Sequence, residues 1–383
     1  MTAEVVALDL FAGTGWGVAL QARGIREGGV EIMPEARASR AAAGMETIYH
    51  DVWDGLLSDD PVVFAHSMQI ASPPCQSFSL AGKGAGRAAL DDVLRAIDDR
   101  AYEQPARLRA LGAETDDRTA LVLTPLAHVH RDRPMFVTWE QVPPVLPVWE
   151  ACAEVLRGMG YSVWVGIIRA EQYGVPQTRR RAVLIARADG IDAAPPPPTH
   201  SRYYEREPQR LDEGVLKWVS MADALGFGDF AAHKVMGRGM VERHGDRPGR
   251  EASEPAFTIR ASAGGMEPGG FVLRPGGSRD ALPAWCAGRP ATTVVADPRL
   301  GGPGRSEFVK GGVSRQNRPG SVRLEAHEAA ALQAYPVGFP FRGGKGKQFL
   351  QIGNAVPPLM GGAIIDELLA PAALRAVPEA VAA

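Results

Sequence analysis

Residues 4–24, EVVALDLFAGTGWGVALQARG, decide the fold: an apolar run, a glycine-rich turn and a helix-compatible stretch follow one another, the order strand, tight loop, helix. The alternation continues outward from there. GVEIMPEARASRAAAG (29–44) reads as a second short strand and an alanine-rich helix closed by Gly44. VVFAHSMQIASPPCQ (62–76), RPMFVTWEQVPPV (133–145), YSVWVGII (161–168) and RAVLIARA (181–188) are further β-rich runs, separated by helix-like stretches such as VWEACAEVLRGMG (148–160). Strands alternating with helices predict an α/β domain around a mostly parallel sheet. The pattern stops at DAAPPPPTH (192–200), where four successive prolines fit neither a helix interior nor a central strand and mark a linker. The chain is then rich in Gly, Pro and Arg, with short strand-like runs; SEPAFTIRASAGG (253–265) and GRPATTVVADPRL (288–300) echo each other faintly, short of a repeat. Helical patterning returns from Val322 and is assigned back to the first domain. The expected organisation is therefore a catalytic domain over 1–194 and 322–383, with a small, irregular, β-rich domain over 195–321.

With 383 residues, 45% hydrophobic and 22% charged, the chain reads as soluble and globular, with length for two domains or one elaborated domain. It has no uninterrupted apolar run of about 18 residues and no signal-peptide pattern at its start, so a cytoplasmic location is expected and a membrane partner is not. Its three cysteines, at 75, 152 and 286, are odd in number and far apart, which argues against a disulfide framework or a zinc cluster and leaves single-thiol chemistry. The net charge of −2 announces no nucleic-acid binder, but between Pro195 and Val322 there are 18 Lys/Arg against 14 Asp/Glu. A basic segment on an acidic body suits a face offered to phosphate, and equally a solvated surface.

Four stretches carry chemistry. In DLFAGTGW (9–16) glycines directly after a strand let backbone approach a ligand, although the turn lacks the G-x-G-x-x-G spacing of a dinucleotide site and the lysine of a P-loop. Glu31, at the end of the next strand, is placed to accept hydrogen bonds from ribose hydroxyls; with the turn it suggests a nucleoside-bearing cofactor, and alone it is an ordinary surface carboxylate. In SPPCQSFS (72–79) two prolines stiffen the backbone ahead of Cys75, which suits either an exposed nucleophile or a buried cysteine closing a strand. SLAGKGAGR (79–87) follows as a basic glycine loop able to close over phosphate. Glu140, in FVTWEQVPPVL (136–146), sits near an apolar rim where a carboxyl group can have a raised pKa and donate a proton, or else caps a helix. In QYGVPQTRRRAVLIA (172–186), alternation on a strand sends Arg179 and Arg181 to one face, where anions, base edges or solvent would meet them.

In this order the four stretches resemble the cytosine-C5 DNA methyltransferase family, with RLEAHEAAALQAYP (323–336) and QIGNAVPP (351–358) similar to its last two motifs. The resemblance covers about residues 5 to 190 and 322 to 370. It implies a Rossmann-like S-adenosylmethionine-dependent methyltransferase domain, with 195–321 as the target-recognition domain. It also implies S-adenosylmethionine as cofactor, held by Phe11, Gly13, Gly15 and Glu31, with Asp51 at the adenine and Asn354 completing the pocket. Cys75 would attack a flipped-out cytosine, Glu140 would bind ring nitrogen N3, and Arg181 the base carbonyl with Arg179 bracing nearby. Gln76 and Ser79 would hold the displaced strand, and Thr292 and Thr293 would meet phosphates and base edges. Double-stranded DNA is the implied partner, bound by a monomer that a cognate restriction enzyme could accompany, in the cytoplasm and at the nucleoid through DNA.

Two departures stand out: Gln141 replaces the family's Asn after the glutamate, and a charged, helix-like stretch is added between Gly86 and Asp116. The short, glycine-rich recognition region predicts a short target site. Three alternatives stay open at this level: a tRNA-methylating member of the same family, a non-catalytic DNA-binding relative and, more remotely, an NAD-dependent enzyme.

Overall fold

The computed structural model describes residues 4–57, 64–74, 85–114, 120–225, 231–234, 250–251, 254–257, 271–273 and 325–371. Along the chain these form β1 (Val6–Leu10), α1 (Gly15–Gln21), β2 (Arg26–Val30), α2 (Pro34–Ala42), β3 (Glu46–Tyr49), α3 (Asp54–Leu57), β4 (Met68–Ala71), α4 (Ala85–Asp98), α5 (Pro105–Glu114), α6 (Thr124–Asp132), β5 (Phe136–Gln141) and α7 (Leu146–Gly158). There follow β6 (Ser162–Arg169), β7 (Gln177–Thr178), β8 (Arg180–Arg187), α8 (Met221–Leu225), β9 (Ala231–Lys234), β10 (Arg250–Glu251), β11 (Ala256–Phe257), β12 (Phe271–Leu273), α9 (Ala326–Leu332), α10 (Lys345–Asn354) and α11 (Pro358–Leu369).

Seven strands form one sheet in the order β3-β2-β1-β4-β5-β8-β6, parallel from β3 to β5, with β8 antiparallel to both its neighbours. The chain winds outward one way from β1 and the other way from β4. At such a reversal the loops leaving the strands' carboxyl ends diverge and open a crevice. The turn after β1 and the Ser72–Pro73–Pro74 stretch after β4 border it.

Alternation along the strands supplies both faces of the sheet with apolar side chains. Leu8, Leu10, Val137, Trp139 and Leu184 pack with Trp149 and Leu126 on one face. Ala7, Ile70, Val183 and Ile185 pack with Trp16, Leu20, Met360 and Ile364 on the other. The stretch added after Gly86 contributes buried Val93, Ile97 and Leu108 to the first face, so it is structural cover for the sheet.

The proline run does not release the chain into solvent. Pro196 is buried and its carbonyl accepts from the Tyr173 hydroxyl at 2.9 Å, while the Thr199 and His200 amides donate to the Gln172 carbonyl at 3.0 Å each. Extended proline backbone makes no bonds of its own, leaving its carbonyls for such neighbours. Farther on, Met221 shares a core with Ala329, Leu332 and Phe349. Within 195–321 the described residues include an antiparallel sheet, β10-β9-β12, and a short pairing of β11 with β7. Among the described residues no helix is long and apolar enough to cross a membrane, and no cluster of His, Cys, Asp or Glu could hold a metal ion.

Candidate active site

After β1 the backbone turns through two left-handed residues, Phe11 (φ 61°) and Gly13 (φ 48°). That region suits glycine and is uncommon for a bulky side chain, so Phe11 marks a constrained position. The Gly13 amide donates to Glu31 Oε2 at 2.8 Å and the Met33 amide to Oε1 at 2.7 Å, which fixes the nearly buried carboxylate against the turn. A carboxylate has about four acceptor sites, so two backbone donors leave capacity for ligand hydroxyls. A Cβ placed on Gly13 would meet nothing within 4 Å, and Ile32 next to Glu31 is 68% exposed. An open backbone face, a fixed carboxylate and an exposed apolar side chain fit a nucleoside-bearing cofactor.

Gly15, next along the turn, is closely packed. A Cβ there would lie 2.1 Å from the Val356 carbonyl oxygen, so its missing side chain makes room for the turn between α10 and α11. Thr14 Oγ1 and the Tyr335 hydroxyl are hydrogen-bonded at 2.7 Å, and a Cβ on Gly361 would lie 3.1 Å from the Trp16 ring. Asn354, exposed at the end of α10, is flanked by carbonyls that hold the turn: Arg179 donates to those of Gly353 and Ala355 at 3.1 Å each, and Gln333 to Ala355 at 2.7 Å. Asp51 accepts from the Trp53 amide at 3.0 Å and so shapes the entry to α3.

Beneath the turn lies a charged network that sequence reasoning missed. Arg40 on α2, fully buried, donates to Glu27 Oε1 at 2.8 Å, the Glu46 carbonyl at 2.6 Å, Thr47 Oγ1 at 3.1 Å and the Gly13 carbonyl at 3.2 Å. A Cβ on Gly29 would lie 2.0 Å from the guanidinium, so Gly29 is what admits it, while the adjoining Gly28 makes room for the Phe64 ring. Nearby, Asp9 is fully buried; burial and then the Glu27 charge raise its pKa well above the ordinary 3.8, against the pull of Arg40. The only advance sign was a pair of glycines inside a strand, which marks close approach.

At the opposite rim of the crevice, β5 and β8 bring Glu140 and Arg181 together, Oε1 to Nε at 2.6 Å, with 4% and 10% of their side chains exposed. The register places Glu140 opposite Val183, so glutamate and arginine lie on one face of neighbouring strands two residues apart. Arg179 does not share that arrangement. It falls between β7 and β8, and its guanidinium donates to the Gly353 and Ala355 carbonyls of the α10–α11 turn.

The approach to residue 75 is held from two sides. Trp16 donates its indole N–H to Ser72 Oγ at 3.0 Å, and Gln141 donates its amide to the Pro73 carbonyl. The Gln141 carbonyl oxygen accepts from the Val142 amide, so the departure from the family's Asn still braces the proline turn. Cys75, Gln76, Ser79, Thr292 and Thr293 lie outside the described residues. Cys152 is buried on α7, and burial pushes its thiol pKa far up, which removes it as a nucleophile.

Residues 110–225 match the family described as C-5 cytosine-specific DNA methylase. That match spans 116 of the chain's 383 residues and adds to the resemblance carried by the motifs. A type II methyltransferase of Haemophilus parahaemolyticus, M1.HphI, is 29% identical over 310 residues, covering 78% of this chain and 67% of the relative. The type II methyltransferase M.AplI of Arthrospira platensis is 24% identical and covers 94% of this chain and 84% of its own. Among solved structures, the Dnmt2 methyltransferase of S. pombe superposes with a TM-score of 0.55 at 15% identity, covering 95% of this chain and 98% of that one. At that identity the likeness concerns the fold alone.

Proposed function

We propose that the chain transfers a methyl group from S-adenosylmethionine to C5 of a flipped-out cytosine in a short sequence context of double-stranded DNA, through a transient bond between Cys75 and C6. The observation that carries this reading is the buried Glu140–Arg181 pair at 2.6 Å, on the same sheet end as the proline turn leading to residue 75 and the Gly13–Glu31 turn.

Glu31 and the Gly13 turn would hold the cofactor's nucleoside, with Asp51 and Asn354 as the further contacts the family pattern assigns. The chemistry the cofactor supplies when bound is an electrophilic methyl on a sulfonium sulfur. The Cys75 thiolate adds to C6 and makes C5 nucleophilic; C5 would then form a bond to the methyl carbon as that carbon's bond to sulfur breaks and leaves a neutral thioether, and transfer of the C5 proton to a base would let the C6–sulfur bond break and restore the ring. Glu140 meets N3 and Arg181 the adjacent carbonyl oxygen, where negative charge develops after addition. Because Arg181 already pairs with Glu140, the two act as one preorganised clamp. Residues 195–321 supply target recognition. A monomer acting in the cytoplasm, alone or beside a restriction enzyme, is consistent with this reading.

The test is transfer of labelled methyl to duplex DNA and to tRNA, followed by trapping on 5-fluorocytosine duplex. Wild type should label DNA and form a denaturation-resistant adduct; Cys75→Ser should do neither while binding S-adenosylhomocysteine normally. Labelling of tRNA alone, or a Cys75→Ser protein with near-normal transfer, overturns it.

A further inference from the structure

Arg169 ends β6 and Arg180 begins β8, and the two face each other directly across the antiparallel ladder, one step beyond the Ile168–Arg181 pair. The segment after the proline run is pinned beside them by the Thr199 and His200 amides on the Gln172 carbonyl. It carries Arg202 and Arg210, whose guanidinium carbons lie 5.1 and 4.2 Å from the Tyr204 ring centroid. Tyr204 is itself fixed, its hydroxyl donating to Asp212 at 2.6 Å, and Asp212 also accepts from the Arg202 amide at 2.8 Å.

Like charges gathered on one rim need an opposing charge. Of the carboxylates here, Asp212 feels the Arg210 charge and accepts from the Arg202 amide, Glu171 lies 3.8 Å from Arg169 and Glu207 lies 3.6 Å from Arg210. Among the described residues neither Arg180 nor Arg202, both exposed, has a carboxylate within ion-pair distance. Burial, and then the charges of Arg202 and Arg180 working against Glu171, pull the Arg169 pKa down. The guanidinium groups are held by stacking and by strand register, so little side-chain freedom is left to lose when they bind an anion.

We propose that Arg169, Arg180, Arg202 and Arg210, arranged around Tyr204, form a phosphate-binding shelf that grips the backbone of duplex DNA beside the target cytosine. The inference rests on the function proposed above. Arg180 directly precedes Arg181 at the start of β8 and faces the other side of the sheet by alternation, so the shelf lies at the same sheet end as the rim where Glu140 and Arg181 would receive a base, and a backbone held there would flank that rim. Guanidinium forks match phosphate oxygens and carry no base preference, so the shelf sets position and affinity, not sequence choice.

The experiment measures binding of the full chain to a fluorescein-labelled, mixed-sequence duplex across a potassium chloride series. The proteins are wild type, Arg180→Gln/Arg202→Gln and, as a charge control, Arg157→Gln at the far end of α7. Each lost phosphate contact lowers the slope of log K against log salt by about 0.9, so the double variant should lose about 2 from the slope and bind roughly 10 to 100 times more weakly near 0.1 M salt. The control should stay within about twofold, and S-adenosylhomocysteine affinity should match wild type in all three, showing that the fold is intact. A double variant with the wild-type slope overturns the shelf. A slope lost on tRNA but not on duplex overturns the choice of DNA. Methyl transfer by wild type is scored separately: wild type that labels no DNA yet binds it with the full slope refutes the catalytic reading and leaves the shelf standing.

Discussion

Glu140 and Arg181 are buried as a pair, and a buried ion left without its partner costs about 3–5 kcal/mol. Glu140→Gln should therefore lower the unfolding free energy by a few kcal/mol in urea titration and reduce methyl transfer at least about 100-fold, the loss typical of one aligned electrostatic group. Gln141→Ala removes the donor to the Pro73 carbonyl and is expected to cost about 1–3 kcal/mol. That variant should slow transfer while leaving S-adenosylhomocysteine affinity unchanged in calorimetry, because the braced turn leads to residue 75 and not to Glu31. At this scale the sequence was most informative where a single residue type carries its own geometry. Glu31 and Glu140 were identifiable from their places at strand ends. Trp16 and Gln141 were not, because their roles appear only when residues 56 and 68 positions away arrive beside them.

Two contacts between elements shape the cofactor turn. Gly15→Ala would force a Cβ onto the Val356 carbonyl, backbone that has no flexible end to move aside. The expected cost is roughly 1–3 kcal/mol in denaturant, together with a weakened S-adenosylhomocysteine complex as α1 and the α10–α11 turn separate. Arg40→Met keeps the bulk in the space beside Gly29 but leaves Glu27 as an unpaired buried charge, so the thermal midpoint should fall. Calorimetry well below that midpoint should show weaker cofactor-analogue binding, since the Gly13 carbonyl loses its anchor. The strand–turn–helix order of 4–24 was legible because apolar runs and glycine turns are local. The carbonyls that Arg179 braces were not legible, because Gly353 and Ala355 lie more than 170 residues away along the chain.

Over the whole molecule, a fully buried and a half-buried carboxyl group, Asp9 and Asp132, shape stability in opposite directions with pH. Burial pushes the Asp132 pKa up, but hydrogen bonds from Arg131 and His128 outweigh it and hold the pKa well below the ordinary 3.8. Its contribution is therefore complete above 3.8 and disappears as pH falls through the folded-state value. Asp9 is shifted upward, so its protonated form favours the fold below 3.8 and that advantage is lost as pH rises toward the raised value. Urea midpoints at acid and neutral pH should accordingly show Asp132→Asn destabilised at neutral pH with a flatter acid limb. Asp9→Asn should gain on wild type as pH rises.

The Gly15–Val356 contact and the Thr14–Tyr335 hydrogen bond join the beginning of the chain to a stretch made more than 300 residues later. Loop closure over that distance must wait for the later segment to exist, so during synthesis the β1–α1 unit stays without this cover until residues 335–356 have been made. Nascent polypeptide stopped short of Tyr335 would leave Trp16 and the Gly13 turn open to solvent or to a chaperone.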